Sequence, residues 1–372
     1  MSATLRLEDM NRSTRHELTP TECTEDRARL GFVMHLKRGL GALGQTRLKA
    51  LVSARSDEDL PNQSETADIL GQSTAFAAWS SLNRGSQRRM WMALADMVDR
   101  QLPALESQAA SLDGREKQGS LRLVPDVELP GYLLETAFHG QPGGYVDTRD
   151  ERDIRAGLLQ EAGGTVYTRG AGTGRKDSKA QAVVRYLDAN FPDLRPRRVL
   201  DLGCGFGGQT CGYALAYPDA ETYGIDLGEA QLRYGHLRAE SLGIALHLRQ
   251  ADACAPGFPD GHFDLIISNI LLHEVPTASM QEIMRQCHRL LAPGGVVIHQ
   301  DVPTQVNAMP GFARHMALWQ TAHNDEPFWT EFAESSVTDA LVEAGFNVDA
   351  VFEAYVPQVD GPLTWYFVGA RH

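Results

Sequence analysis

Between Arg198 and His299 the chain alternates short apolar runs with helical segments, and this alternation limits the fold more than any other feature. Arg198 to Leu202 (RVLDL), Thr222 to Asp226, Leu246 to Arg249, Phe263 to Ser268 and Val296 to His299 have the composition of strands, separated by helical segments near 208–217, 228–242 and 277–291. Strands that alternate with helices form a parallel sheet covered on both faces. The end of the chain departs from that pattern. Phe346 to Phe352 and Thr364 to Gly369 are strands with only a loop between them, so the last strand is expected to return antiparallel as a hairpin. The expected fold class is α/β, a doubly wound sheet.

The first strand runs into Val199-Leu-Asp-Leu-Gly-Cys-Gly-Phe-Gly-Gly208. An acid followed by glycines lets a ligand approach the backbone with no Cβ in the way, and the N-terminus of the next helix favours negative charge. Gly203, Gly205 and Gly208 also fit the dinucleotide fingerprint, with Asp226 at a distance suited to ribose hydroxyls. Alone, that match discriminates poorly.

Its company discriminates better. The run D-L-G-C-G-F-G is followed in order by Tyr223-Gly-Ile-Asp226-Leu227, Gln250-Ala-Asp252-Ala253, Phe263-Asp-Leu-Ile-Ile-Ser268-Asn269 and Leu290-Leu-Ala-Pro-Gly-Gly295. With these five motifs the chain resembles the class I, Rossmann-like S-adenosylmethionine-dependent methyltransferases of small-molecule type, over roughly residues 177 to 372. The resemblance implies a seven-stranded sheet with the last strand antiparallel, and S-adenosyl-L-methionine as cofactor. It implies that Asp201, Gly203, Gly205 and Gly207 surround the methionine part, that Asp226 takes both ribose hydroxyls, and that Leu227 also contacts the cofactor. Asp252 would accept from the adenine amino group, the N–H of Ala253 would reach a ring nitrogen, and Ser268 and Asn269 would sit near the sulfonium. A nicotinamide dehydrogenase loses on Asp201 before the glycines and on the two later motifs.

Ligands of open α/β sheets sit beyond the carboxyl ends of the strands, which makes His273, Glu274 and Asp301 the catalytic candidates. His273 is the expected base, helped by Glu274 or Asp301; a histidine that packs or caps the next helix is the alternative. Substrate-contact candidates are Tyr167, His299, Trp319, His323, Glu326 and Trp329. Four of these lie in an insertion at about 302–331, which suits either a lid over the acceptor or a helix pair packed on the N-terminal region. Tyr145 and Tyr167 either fold over the cofactor or anchor loops. A hydroxyl oxygen is the expected acceptor atom, because a neutral hydroxyl gains most from a base. Sulfur or nitrogen methylation of a small metabolite, or cofactor binding without catalysis, are the other readings.

The charge sum of 35 Lys+Arg against 48 Asp+Glu gives −13, a field that repels phosphate backbones and anionic lipid. The expected partner is a small-molecule acceptor, with neither nucleic acid nor membrane. A nucleic-acid amino-methyltransferase usually carries N-P-P-Y-like residues where this chain has Ser268-Asn-Ile-Leu271. Cys23, Cys204, Cys211, Cys254 and Cys287 include no C-x-x-C pair, so no metal centre is expected. The N-terminus lacks the apolar core of a signal peptide, no stretch approaches the roughly 18 apolar residues of a membrane span, and a cytoplasmic enzyme is expected.

Three regions are expected: a polar, flexible 1–30, a mainly helical 31–150 and the methyltransferase domain 151–372. Phe32 to Val52 has helical spacing weakened at Gly39, Gly41 and Gly44, SDEDLPNQSET (56–66) reads as a linker, and a second helical zone from Ala75 to Leu112 breaks at Asn83-Arg84-Gly85. This appendage would pack on the main domain or on a second copy, as a homodimer. Residues 121–144 read as connecting structure with one short strand, Asp147 to Arg155 as a solvated helix start, GGTVYTRGAGTG (163–174) as a loop, and Asp177 or Ser178 as a helix cap.

Overall fold

A computed structural model describes residues 5–9, 14–56, 62–169, 179–303, 310–358 and 364–372. Helix α1 (Thr24–Gly39) continues through a π-helical turn at Leu40–Gly44 into α2 (Gln45–Ser53), followed by α3 (Gln63–Gly71) and the 40-residue α4 (Thr74–Asp113). Strand β1 (Ser120–Arg122) and α5 (Gly131–Glu135) lead to α6 (Arg155–Arg169). The alternating part comprises α7 (Lys179–Asn190), β2 (Arg198–Leu202), α8 (Gly208–Ala216), β3 (Glu221–Asp226), α9 (Glu229–Leu242), β4 (His247–Gln250), β5 (Phe263–Asn269), α10 (Thr277–Leu290) and β6 (Leu291–Asp301). Helices α11 (Gly311–His323), α12 (Trp329–Glu334) and α13 (Val337–Glu343) precede the hairpin of β7 (Val351–Pro357) and β8 (Thr364–Arg371).

The sheet order is β1-β4-β3-β2-β5-β6-β8-β7, with β8 antiparallel between β6 and β7 and every other pairing parallel. Among the described residues the sheet has eight strands where seven were expected. The addition is β1, three residues from the connecting stretch that pair parallel with His247, Leu248 and Arg249. The expected 346–352 strand begins later, at Val351, after a 3-10 turn at Val348–Ala350. The strand order reverses between β2 and β5, which opens a crevice beyond their carboxyl ends.

Both faces of the sheet are covered because its strands alternate apolar residues to either side. Leu200, Leu202, Ile266 and Val297 pack with Met280, Ile283, Met284, Cys287 and Leu290, spaced at three and four along α10. Val199, Leu265, Ile267 and Ile298 pack on the opposite side with Val183, Val184 and Leu187 of α7.

The N-terminal helices join this body through a second core. Met90, Trp91, Leu94, Met97 and Val98 of α4 lie against Leu158 and Leu159 of α6 and Tyr234 and Leu237 of α9. The expected break at Asn83-Arg84-Gly85 is absent. A lone glycine costs a helix about 1 kcal/mol, and the burial of Trp79, Met90 and Trp91 on either side outweighs it. Part of the expected linker is helix α3, capped by Asn62, whose side chain accepts from the Glu65 N–H at 3.0 Å. Glycine is required at the π-turn: a Cβ on Gly44 would lie 2.5 Å from Trp79, whose indole N–H donates to the Leu40 carbonyl at 2.9 Å.

Leu18 is fully buried, and the His16 ring contacts Glu161 at 3.0 Å. The charged run at 147–155 is only partly solvated, since Asp153 is buried and held by Arg149. Helix α6 occupies residues 163–169 of the expected glycine loop, while Asp177 and Ser178 lie outside the described residues. Among the described residues no helix is long and apolar enough to cross a membrane.

Candidate active site

The loop after β2 borders a cavity of about 510 Å³, ample for a nucleoside-sized ligand together with a small second one. Gly203, Gly205 and Gly207 have φ of 63°, 54° and 71°, left-handed values that glycine adopts without strain. A Cβ on Gly205 would also meet Gln160 at 2.7 Å. Asp201 anchors this loop from within the body. Thr210 Oγ1 donates to its Oδ2 at 2.6 Å and Asn269 Nδ2 reaches Oδ1 at 3.4 Å. Burial pushes its carboxyl up to about 7, against the bonds from Thr210 and Asn269.

Asp226 ends β3 and faces the same cavity. Its Oδ2 accepts the Gly205 N–H at 2.9 Å and its Oδ1 accepts the Gly228 N–H at 2.8 Å. Each oxygen keeps a lone pair, so the carboxylate can still accept from two neighbouring hydroxyls. Burial raises its pKa, and the backbone donors partly offset that. Farther along the wall, Asp252 Oδ1 accepts the Cys254 N–H at 2.8 Å, and Leu227 and Ala253 complete this side. Gln160 and Gln231, which also line the cavity, each present a buried Oε1 with no hydrogen-bond partner. A polar ligand with amino and hydroxyl groups is what such a wall lacks, so the residues fit S-adenosylmethionine.

The opposite end is built around His273, on the 3-10 turn Leu272–Glu274 after β5. His273 Nδ1 is 2.6 Å from Asp301 Oδ1, and Asp301 is fixed by the N–H groups of Leu272 and Val302 at 2.8 and 2.7 Å. Burial alone would lower the His273 pKa, but the Asp301 carboxylate, then Glu326 and Glu274, bring it to about 9. Its Nε2 lies 3.6 Å from Glu326 Oε2 and 3.9 Å from Glu274 Oε1. Between those carboxylates sits the His139 ring, with Nδ1 2.8 Å from Glu326 and Nε2 3.2 Å from Glu274. Against the effect of burial, those two carboxylates hold the His139 pKa well above its usual value. Tyr145 also donates to Glu274 at 3.2 Å. His139 and Ile270, both in the cavity wall, have φ of 56° and 60°, strained values for residues other than glycine.

The fold brings together Asp201, Gly203, Gly205, Asp226, Leu227, Asp252, Ala253, Asn269, His273, Glu274, Glu326 and Trp329 at this cavity, with Asp301 directly behind His273. Other expected site residues lie elsewhere. Ser268 and His299 are fully buried as a cross-strand pair, with Ser268 Oγ 2.7 Å from His299 Nδ1, because the strand alternation turns them into the sheet. Gly207 caps α8 behind the loop. Trp319 packs with Leu48, Leu70 and Trp79 and donates to Ser80 at 2.9 Å, and the His323 ring lies tilted beside Trp319; both lie on the face of α11 turned toward the N-terminal helices. The Tyr167 side chain lies outside the described residues. Within the insertion, α11 packs on the N-terminal helices through Trp319 while Gln320, Asn324, Glu326 and Trp329 line the cavity.

Sequence reasoning missed His139, Trp91, Gln160 and Gln231. The glycine-rich run from His139 to Gly144 read only as connecting structure. No metal centre was expected, yet His139, Glu274 and Glu326 place one donor atom each within 4.8 Å of one another.

A parallel sheet with an inserted antiparallel strand, an Asp-x-Gly-x-Gly loop after its first central strand and an acid closing the next are the arrangement expected of a methyltransferase domain. Residues 199–295 match the family model described as a methyltransferase domain. The chain is 39% identical over 106 residues to the ubiquinone biosynthesis O-methyltransferase of Pseudomonas aeruginosa, covering 28% of this chain and 44% of that protein. It is 34% identical over 165 residues to the malonyl-[acyl-carrier protein] O-methyltransferase of Halorhodospira halophila, covering 43% and 51%. The chain thus spans about half the length of the curated relatives it matches. Among solved structures, phosphoethanolamine N-methyltransferase 2 of Haemonchus contortus, in complex with S-adenosyl-L-methionine, aligns at 15% identity with a TM-score of 0.38 over 50% of this chain and 51% of that one.

Proposed function

We propose that the protein is an enzyme that transfers a methyl group from S-adenosylmethionine to a hydroxyl oxygen of a small molecule. The carrying observation is the buried pair of Asp301 and His273, bonded at 2.6 Å, of which His273 lines the cavity. Bound S-adenosylmethionine supplies a methyl group on a positively charged sulfur. Asp226 holds the ribose hydroxyls, the backbone at Gly203 and Gly205 receives the amino-acid part, and Asp252 and Ala253 hold the adenine. His273 takes the acceptor's proton at Nε2, while Asp301 orients the ring and stabilises the charge it gains. A positive charge in the cavity opposes the protonated form of His273 and so favours the neutral form that a base needs. Trp329, 5.0 Å from the His273 ring in an edge-on contact, walls off water.

Relatives named as O-methyltransferases support an oxygen acceptor, as does the presence of a positioned base. The test is a labelled methyl-transfer screen across phenols, alcohols, thiols and amines, followed by His273→Ala with the acceptor found. The expected loss of rate is roughly 100-fold or more, with donor affinity retained. A variant as fast as the parent, or transfer to thiols or amines alone, overturns the reading.

A further inference from the structure

We propose that His139, Glu274 and Glu326 bind a divalent first-row transition-metal ion at the acceptor end of the cavity. The three come from separate segments, a 3-10 turn at Phe138–Gly140, the turn after β5 and the loop before α12, yet their donor atoms converge within 4.8 Å. Bonds of about 2.0–2.2 Å to imidazole and carboxylate put neighbouring donors roughly 3–4 Å apart, which small side-chain movements reach from the observed spacing. The second observation is a missing partner. Glu326 is only 2% exposed, and its Oε2, in the cavity wall, has no hydrogen bond. His273 Nε2, at 3.6 Å, is beyond hydrogen-bond reach, and a buried carboxylate oxygen without a hydrogen bond is costly unless a cation or donor meets it.

Charge points the same way. Among the described ion pairs, Glu274, Glu326 and Asp301 meet only His139 and His273, so three carboxylates face at most two positive rings. His139 Nδ1 is 2.8 Å from Glu326 Oε1 and its Nε2 is 3.2 Å from Glu274 Oε1, so an ion bound there takes the place of the ring proton shared with one carboxylate. The backbone that carries the ring is held in its strained conformation by Gln87 and Trp91, which both donate to the His139 carbonyl, at 2.9 and 2.7 Å.

One nitrogen and two carboxylates without thiolate suit Mn²⁺, Fe²⁺, Co²⁺ or Zn²⁺ better than the all-oxygen preference of Ca²⁺. Three protein ligands leave positions open for substrate. The inference rests on the methyl-transfer reading for its role: the ion would bind the acceptor's hydroxyl oxygen and lower its pKa. The proton leaves to His273 Nε2 and the O–H electron pair stays on oxygen. Acceptors with two adjacent oxygens would be favoured, because both can reach one ion.

The experiment strips the full-length protein with chelator and titrates Co²⁺, Mn²⁺ and Zn²⁺ separately by calorimetry, with neither methyl donor nor acceptor present. One ion per chain is expected, with a Co²⁺ visible spectrum showing nitrogen and oxygen ligands. Glu326→Gln, nearly isosteric, and His139→Ala should each weaken binding at least about tenfold, with folding checked by circular dichroism and by donor affinity. Absence of stoichiometric binding, or binding unchanged in both variants, overturns the metal site. Neither result bears on the base, which stands or falls on the His273→Ala rate.

Discussion

Asp201, Gly203, Gly205 and Asp226 come from two adjacent strands and the loop between strand and helix, whereas His139, Glu274 and Glu326, just as close in space, come from three segments far apart in the chain. The first group needs only the sheet: once β2 and β3 pair in register, with Asp201 beside Gly224, their carboxyl ends bring the loop and the acid together. The second group needs the sheet, the lid and the N-terminal helices to be in place at once. The contrast predicts that damage at one end of the cavity leaves the other intact.

Trp319→Ala should have the largest effect. Removing a buried tryptophan that joins lid to appendage costs about 3–5 kcal/mol of stability, measurable by urea denaturation, while donor affinity of the folded protein changes less than about twofold. An equal collapse of donor affinity would break the distinction between the two ends. Asp226→Ala comes next: the loss of two charge-assisted bonds, roughly 1.5–3 kcal/mol each before compensation, should weaken S-adenosylmethionine binding at least about tenfold by calorimetry while metal binding is retained.

The donor end was legible because its parts are contiguous. A strand, an acid and glycines in sequence already specify a tight turn, and Asp226 follows at the next strand's end. The acceptor end was legible only where it borrows strand ends, at His273, Glu274 and Asp301. His139 was hidden because its position depends on hydrogen bonds from Gln87 and Trp91, far away in sequence. Trp319 misled for another reason: on α11 it is next to Gln320, but neighbours on a helix point about 100° apart, and only Gln320 reaches the cavity. Strand β1 escaped notice because three residues are too few to show a period, while α3 and the unbroken α4 show burial overriding local turn signals.

A subtler effect separates the buried acids. The Asp201 carboxyl titrates at about 7 in the folded chain, against about 3.9 when unfolded, so the folded state holds its proton more tightly. The resulting stability is fully present below pH 3.9 and is lost as pH rises through about 7. Asp201→Asn removes that dependence, and the variant should gain on the parent steadily between pH 4 and 8, followed by melting temperature; parallel curves would refute the assignment. Ser268→Ala should matter least. It deletes one buried bond, worth roughly 0.5–1.5 kcal/mol, and should leave donor affinity unchanged, whereas a clear weakening would return Ser268 to the cofactor wall.

The two side-chain donors on the His139 carbonyl have a consequence for how such a protein diversifies. Gln87 and Trp91 belong to α4, which lies outside the sheet, yet they fix the backbone of a residue at the acceptor end. Mutational drift on one helix outside the sheet can therefore retune the acceptor end without disturbing the strands that form the donor end. Selection can act on the two halves at different rates, and a laboratory library confined to α4 and the lid would explore new acceptors on an unchanged chemical engine.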